Sequence, residues 1–376
     1  MRPRGPLADQ ARLAVLGVVS ALPLLLTPSP ALAHVKWFVS PADPSRPGID
    51  PDLILSERTA ILVAVAAVAL GALYLLQRLV GDPHWRRLSF FHLMAVGAPT
   101  LLAVQAAITL VYAAVQPALF VPNIPLPLNP FGLAIAGVEL LVAFSLITGQ
   151  ADWLAAPALM LLVPLSLFQR RFSDTLDMLF WVGIGVVILV IGTHAADVTR
   201  ARHWFRARSP AWSTRAVSAL RIIGGLAIMA PGLDEKVWNP TLGAQFLAQH
   251  PHLNVMRSLF GLRWFTDERF VLAAGVVEAT IGILLISGLL TRVVILDMWV
   301  PFNIGVPFLP PQELIGHLPI FGIIYFLLVH SAGIAPGEPL DRVALPAAPA
   351  LVSAKDGTTR RAASLASPGE NERGFP

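Results

Sequence analysis

Residues 276–292, VVEATIGILLISGLLTR, pose the problem that the rest of the chain must answer. The run is almost wholly apolar, yet Glu278 stands near its start. A carboxylate in hydrocarbon costs roughly 2.5–3.5 kcal/mol on insertion scales. Such a run is stable as a membrane helix when its acid points away from lipid. Gly275, Glu278 and Gly282 share one helical face at i, i+3 and i+7. Small residues let helices approach closely, so this spacing predicts that Glu278 faces the interior of a helix bundle.

The rest of the chain has the same character. Of its 376 residues 55% are hydrophobic and 13% charged, against about 25% charged in a soluble domain. The mean hydropathy is +0.68. Nine apolar segments follow the N-terminal region, at 60–80, 93–118, 131–148, 154–168, 178–196, 216–231, 270–288, 293–308 and 317–333. In lipid each is expected to be a helix, because its backbone groups have no other partners. None shows the period-two alternation of a barrel strand. The predicted fold class is an all-α integral membrane protein with about nine transmembrane helices. The net charge of +4 sits in loops, and no basic, aromatic-interleaved motif points to nucleic acid. The chain has no cysteine, which excludes disulfides, Cys-ligated iron–sulfur clusters, attached c-type haem and CxxC thiol chemistry. A redox role would need a bound quinone, a His-ligated metal or a partner subunit.

The N-terminus carries Arg2, Arg4 and Arg12, a short apolar core from Leu13 to Leu26, and Ala31-Leu32-Ala33. That pattern predicts a signal peptide over 1–33, followed by a periplasmic segment over 34–59. Residues 60–92 would hold an extra transmembrane helix and a cytoplasmic loop with Arg78, Arg86 and Arg87. The 197–215 loop carries Arg200, Arg202, Arg206, Arg208 and Arg215. The positive-inside rule places both loops on the cytoplasmic side. Arg170-Arg171, which would lie outside, is the one exception. The tail over 336–376 is rich in Ala, Pro, Ser and charge; it is expected to be disordered and cytoplasmic. The long 232–268 loop mixes apolar and polar residues and is expected to lie at the outer interface, anchored by Trp264 and Phe265.

The chain repeats itself. GVELLVAFSLITGQ (137–150) matches GVVEATIGILLISGLL (275–290), with Glu139 and Gly149 standing 139 residues before Glu278 and Gly288. Asp174 and Glu313 keep the same offset. Two four-helix repeats follow, over 93–197 and 214–335. An even number of helices per unit makes the repeats parallel. Ala136, Glu139 and Ala143 repeat the small-acid-small face, so both acids are predicted to point inward.

The second repeat resembles the DoxX family of bacterial membrane proteins. The likeness rests on LRIIGGLAIMAPGLDEKVWNP (220–240), on the Glu of VVEATIGILLISGLLTR, and on LIGHLPIFGIIYFLLV (314–329). It implies a four-helix unit. Some members are associated with quinone-linked oxidation of sulfur compounds, including thiosulfate:quinone oxidoreductase subunits. The first repeat lacks a counterpart of Lys236, and has Gln150 and Asp152 where the second has Leu289 to Arg292. It reads as a diverged copy.

Glu278 and Glu139 are the leading candidates for chemistry, as proton relays or as carboxylates that hydrogen-bond a quinone. The competing reading is a structural acid that locks two helices. Lys236, beside Asp234 and Glu235, reads as a solvated turn at the outer mouth, or else as a partner for Glu278 or an anion. Arg221 is expected to snorkel to phosphates, and Arg292 to favour a helix C-terminus. Glu313 and His317, at i and i+4, would share a face and line a polar mouth if their helix has begun by residue 313. With Lys236 they are the candidate cofactor-binding residues. His34, His250 and His252 match no metal motif, so no metal site is predicted. His194 and His330 have only their position to suggest haem.

Three function classes stay open: a quinone-linked redox subunit with a partner redox subunit, a small-solute or proton transporter, and a non-enzymatic scaffold for a membrane complex. Membrane lipid is the expected surrounding in each.

Overall fold

Helices are all that a chain with so few charges can present to lipid, and helices are what it forms. The computed structural model describes residues 51–80, 89–120, 124–168, 172–193, 210–249, 251–305 and 311–330. The predicted signal peptide, His34, His194, His250, most of the 197–215 loop and the tail lie outside them. Among the described residues no strand forms beyond one isolated bridge between Ala118 and Pro125.

Helix α1 spans Glu57–Val80, α2 Ser89–Val115, α3 Pro130–Thr148 and α4 Asp152–Leu165. A short helix, Phe172–Asp177, leads into α5, Leu179–Ile191. Helix α6, Pro210–Pro231, runs on into a π-helical turn, Gly232–Val237. Then come α7, Thr241–Gln249, α8, Asp267–Ser287, α9, Thr291–Gly305, and α10, Pro311–His330. Each of the nine apolar segments therefore contains helix. Five stretches are long and apolar enough to cross a membrane: Glu57–Leu79, Gly97–Val115, Pro130–Thr148, Ala211–Val237 and Asp267–Ser287. Asp152–Leu165, Thr175–Ile191 and Leu314–His330 are shorter apolar helices. This is a helical membrane protein.

Local chemistry sets the helix ends. Asn129 Oδ1 accepts from the Gly132 N–H at 3.0 Å, with Pro130 opening α3. That is a side-chain N-cap followed by the residue type favoured at the first helical position. Thr266 caps α8 in the same way through the Arg269 N–H at 3.4 Å. Both helices stop at a left-handed glycine, Gly149 at φ 71° and Gly288 at φ 77°. Two residues on, Ala151 (φ 54°) and Leu290 (φ 38°) also take positive φ, and α4 and α9 start at the next residue. The ends of α3 and α8, the starts of α4 and α9, and the ends of α5 and α10 are each 139 residues apart.

Packing crosses between the halves of the chain. Helix α2 packs chiefly on α10 and α3, and α6 chiefly on α8 and α5. Helices α2 and α10 run antiparallel: Phe91 clusters with Val329, while Thr109 Oγ1 donates to the Ile315 carbonyl at 2.7 Å. Helix α1 lies against α8, and few of its residues are buried.

Three polar groups tie helix ends together at the side where α3 and α8 finish. Asp152 Oδ2 accepts the Thr193 N–H at 3.1 Å, joining the start of α4 to the end of α5. Arg292 Nε and Nη2 donate to the Leu328 and Val329 carbonyls at 2.7 and 2.9 Å, joining α9 to the end of α10. Arg221 Nη1 donates to the Leu285 carbonyl and, at 2.9 Å, to that of Ile286. The last four carbonyls of a helix lack i+4 backbone donors, and the two arginines donate to carbonyls in the last turns of α8 and α10. This corrects the snorkelling expectation for Arg221, whose guanidinium is held within the bundle by the end of α8. Arg292 does meet a helix C-terminus, but that of α10 rather than its own.

Candidate functional site: the two intramembrane acids

The π-turn builds the first site. Helix α6 and helix α8 touch through glycine backbones. A Cβ at Gly282 would lie 2.5 Å from the Gly225 oxygen, and one at Gly275 would lie 2.8 Å from the Gly232 oxygen. With nothing larger than hydrogen between them, the helices approach closely enough for one side chain to span the gap. The wider winding of the π-turn swings Lys236 onto α8, where its ammonium donates to Glu278 Oε1. The expectation of a solvated turn at Lys236 is thereby corrected: its side chain is 11% exposed and paired. Glu278 is 32% exposed, so the acid predicted to face inward is only partly enclosed. Val237, Val276 and Ala279, neighbours of the pair in sequence, are buried in one apolar cluster with Leu62 of α1. Trp238 Nε1 donates to Thr59 Oγ1 of α1 at 3.0 Å. A charged pair thus joins two apolar helices, with the Glu278 side chain partly exposed.

Glu139 is enclosed completely, at 0% exposure. Its Oε1 accepts the Phe120 N–H at 2.7 Å, and Oε2 has no partner. The segment that delivers Phe120 folds back into the bundle. Leu119 N–H donates to the Ile124 carbonyl at 2.8 Å and Leu126 N–H to that of Pro117 at 2.7 Å. Ala118, Leu119, Phe120, Ile124 and Leu126 are all buried. The Phe120 ring stacks on Trp181 of α5, centroids 4.9 Å apart. Phe120 holds a positive φ of 61°, uncommon for a non-glycine residue, and that turn aims its N–H at the acid.

Lys236 and Phe120 are each the fifth residue after the α-helical end of the preceding helix, Pro231 and Val115. The sequence places the end of the apolar segment before Phe120 at 118, three residues beyond Val115, so counting from it misses Phe120, and comparing loop residues hid it too, because the loops differ in composition. Trp181 left no signal beyond being an aromatic in an apolar segment.

The remaining candidates lie apart from this pair. Helix α10 has begun by Pro311, so Glu313 and His317 do share a face by backbone register. The Glu313 side chain lies outside the described residues, and His317 is half-buried. The first turns of α10 pack on α2, where Ile315 clusters with Tyr112, so the Lys236–Glu278 contact is made without them. Helices α3 and α8, which carry Glu139 and Glu278, share no extensive packing. No group of three or more metal-ligating side chains gathers among the described residues. Around Trp264 the 232–268 segment exposes Leu259 and Phe260. Arg269 donates to the Trp264 carbonyl at 2.7 Å and stands 5.9 Å over its ring.

Comparison with protein-family models, with curated proteins and with solved structures returns no match.

Proposed function

We propose that the chain is a DoxX-like inner-membrane protein in which the Lys236–Glu278 pair receives a quinone headgroup, making it a quinone-linked redox subunit that works with a partner. The observation that carries this reading is a Lys–Glu pair set among apolar helices, with Glu278 partly accessible. An ammonium has three donors, so Lys236 can hold Glu278 and still donate to a quinone carbonyl oxygen. Glu278 is the group that would take or give a proton there. A quinone, when bound, supplies the electron-accepting chemistry.

The architecture behind this proposal is a duplication. Units of four helices, α2–α5 and α6–α10 with α7 in the connection, share their 139-residue register, their left-handed glycine caps and the donor five residues past the first helix. Nine spans, a periplasmic mature N-terminus after signal cleavage and a cytoplasmic C-terminus complete the reading.

A second reading has its own support. The glycine contacts around the pair are close, and an ion pair across them would lock α6 to α8. The protein would then be a scaffold.

Quinone extraction from protein purified in mild detergent separates the two. Bound quinone in the wild type that is lost in Glu278→Gln, with the fold intact, supports the redox reading. No quinone in either sample, with the variant merely less stable, sinks it and leaves the lock.

A further inference from the structure

The π-turn over Gly232–Val237 interrupts what would otherwise continue as α-helix. Such turns are rare in proteins, so the contacts that hold this one matter to the lysine it carries. They come from two helices. On one side stands α8: a Cβ at Gly275 would lie 2.6 Å from Lys236 Cβ and 2.8 Å from the Gly232 oxygen. On the other stands α1. Trp238, the residue that closes the turn, donates its backbone N–H to the Leu233 carbonyl at 2.8 Å and its indole N–H to Thr59 Oγ1 of α1 at 3.0 Å. Val237 is 0% exposed and clusters with Leu62 of α1. Thr59 and Leu62 stand at i and i+3, on one face of their helix. The two residues that follow Lys236 are thus fastened to α1, while Lys236 itself reaches Glu278 on α8.

We propose that α1 positions the Lys236–Glu278 pair, with Thr59 and Trp238 as the positioning residues: their hydrogen bond braces the π-turn so that Lys236 meets Glu278. Were the turn to rewind as α-helix, its tighter winding would carry Lys236 further around the axis and away from Glu278. Lys236 would then be the solvated residue that its acidic neighbours suggest. The chemistry of the brace is specific. An indole N–H can only donate, and a threonine hydroxyl accepts it while keeping a donor of its own. Valine at 59 or phenylalanine at 238 keeps an apolar side chain of similar shape and removes the bond. The brace concerns the pair alone; its service to a ligand rests on the quinone reading above.

The chain has three lysines, Lys36, Lys236 and Lys355, so amine labelling reads Lys236 directly in the full-length protein. The protein in mild detergent is treated with an acetylating reagent at fixed pH, and the labelling rate of each lysine is followed by mass spectrometry. Lys36 and Lys355 serve as internal references. Lys236 is expected to react slowly in the wild type and about tenfold faster in Thr59→Val and in Trp238→Phe, the scale of one lost hydrogen bond. Thr59→Ser keeps the hydroxyl and should stay at the wild-type rate. The two disruptive variants break the bond from opposite sides, so one that misfolds leaves the other to report. A wild-type rate in Thr59→Val and Trp238→Phe would show that the turn holds without α1 and would overturn the proposal. A fast rate in Thr59→Ser would do the same, since position 59 would then act by packing and not through its hydroxyl. Quinone extraction from the same samples separates this inference from the reading beneath it. Faster labelling in the variants with no quinone in any sample keeps the brace and removes the quinone. Unchanged labelling with quinone bound to the wild type keeps the quinone and removes the brace.

Discussion

Substituting alanine at Gly282 tests the physical basis of the Lys236–Glu278 site. The added Cβ would lie 2.5 Å from the Gly225 oxygen, 2.7 Å from Met229 Cβ and 2.9 Å from Met229 N. Two of these three atoms are backbone, so no rotamer change relieves them. Ordinary carbon contacts are about 3.5–4.0 Å, so α6 and α8 must separate by about 1 Å. Overpacking of this kind costs about 1–3 kcal/mol, and the gain in helix propensity from Gly to Ala offsets about 0.8–1.0 kcal/mol of it. The expected net loss is roughly 0–2 kcal/mol. Gly137 is the matched control: alanine there meets nothing within 4 Å, so only the propensity gain remains and the protein should be slightly more stable. Unfolding in mild detergent titrated with sodium dodecyl sulfate, followed by tryptophan fluorescence, measures both. Equal stability of Gly282→Ala and Gly137→Ala would refute the close-approach argument. Separation of the helices would also draw Lys236 from Glu278, so Gly282→Ala should weaken any ligand held by the pair.

The polar contacts give further expectations in the same assay. Lys236→Met and Glu278→Gln should each lose roughly 1–3 kcal/mol, the scale of a hydrogen bond to a charged group. The double variant should recover much of that, because no lone charge remains; simple additivity would show that the two groups are not coupled. Glu139→Gln keeps an acceptor for the Phe120 N–H and should be close to wild type. Glu139→Leu leaves that N–H unpaired and should lose roughly 1–3 kcal/mol; equal stability of the two would remove the hydrogen bond from the account. Arg292→Met should lose roughly 3 kcal/mol from its two carbonyl contacts and the Phe91 ring beneath its guanidinium at 4.5 Å. Arg292→Lys should recover only part of it, since an ammonium lacks the planar fork; full recovery would argue against the forked contact.

Helix identity was legible because lipid allows little else, and the caps were legible because Gly149 and Gly288 carry a chemical reason to stop a helix. The inward placement of Glu139 could be read from its small neighbours. The fate of Lys236 could not. Asp234, Glu235 and Lys236 in a row look like a solvated turn, and a π-turn has no sequence signature that would announce the extra winding. The Phe120 segment was hidden for the opposite reason. Its prolines give it no helical pattern to read, while its lack of charge lets it fold into the core. Arg221 was misplaced because the carbonyls it meets, at the end of α8, lie on another element 64 residues away.

The two acids are placed alike and supplied differently, and that difference bears on which of them could work on a ligand. Glu139 is met by a backbone N–H, fixed by a folded-in segment and sealed by the Phe120–Trp181 stack. A neutral donor on a rigid backbone can hold an acid, but it cannot move aside or change charge. Glu278 is met by a lysine at the end of four rotatable bonds, on a turn wound more widely than α-helix. A side-chain donor can turn from the acid to a third group, and its charge matches whichever partner carries the electron density. Exposure follows the same division, 0% for Glu139 and 32% for Glu278. If the units arose by duplication, one copy kept the acid as a fixed hydrogen-bond acceptor. The other acquired the cation and the opening that a ligand needs, so the quinone reading belongs to the second unit alone.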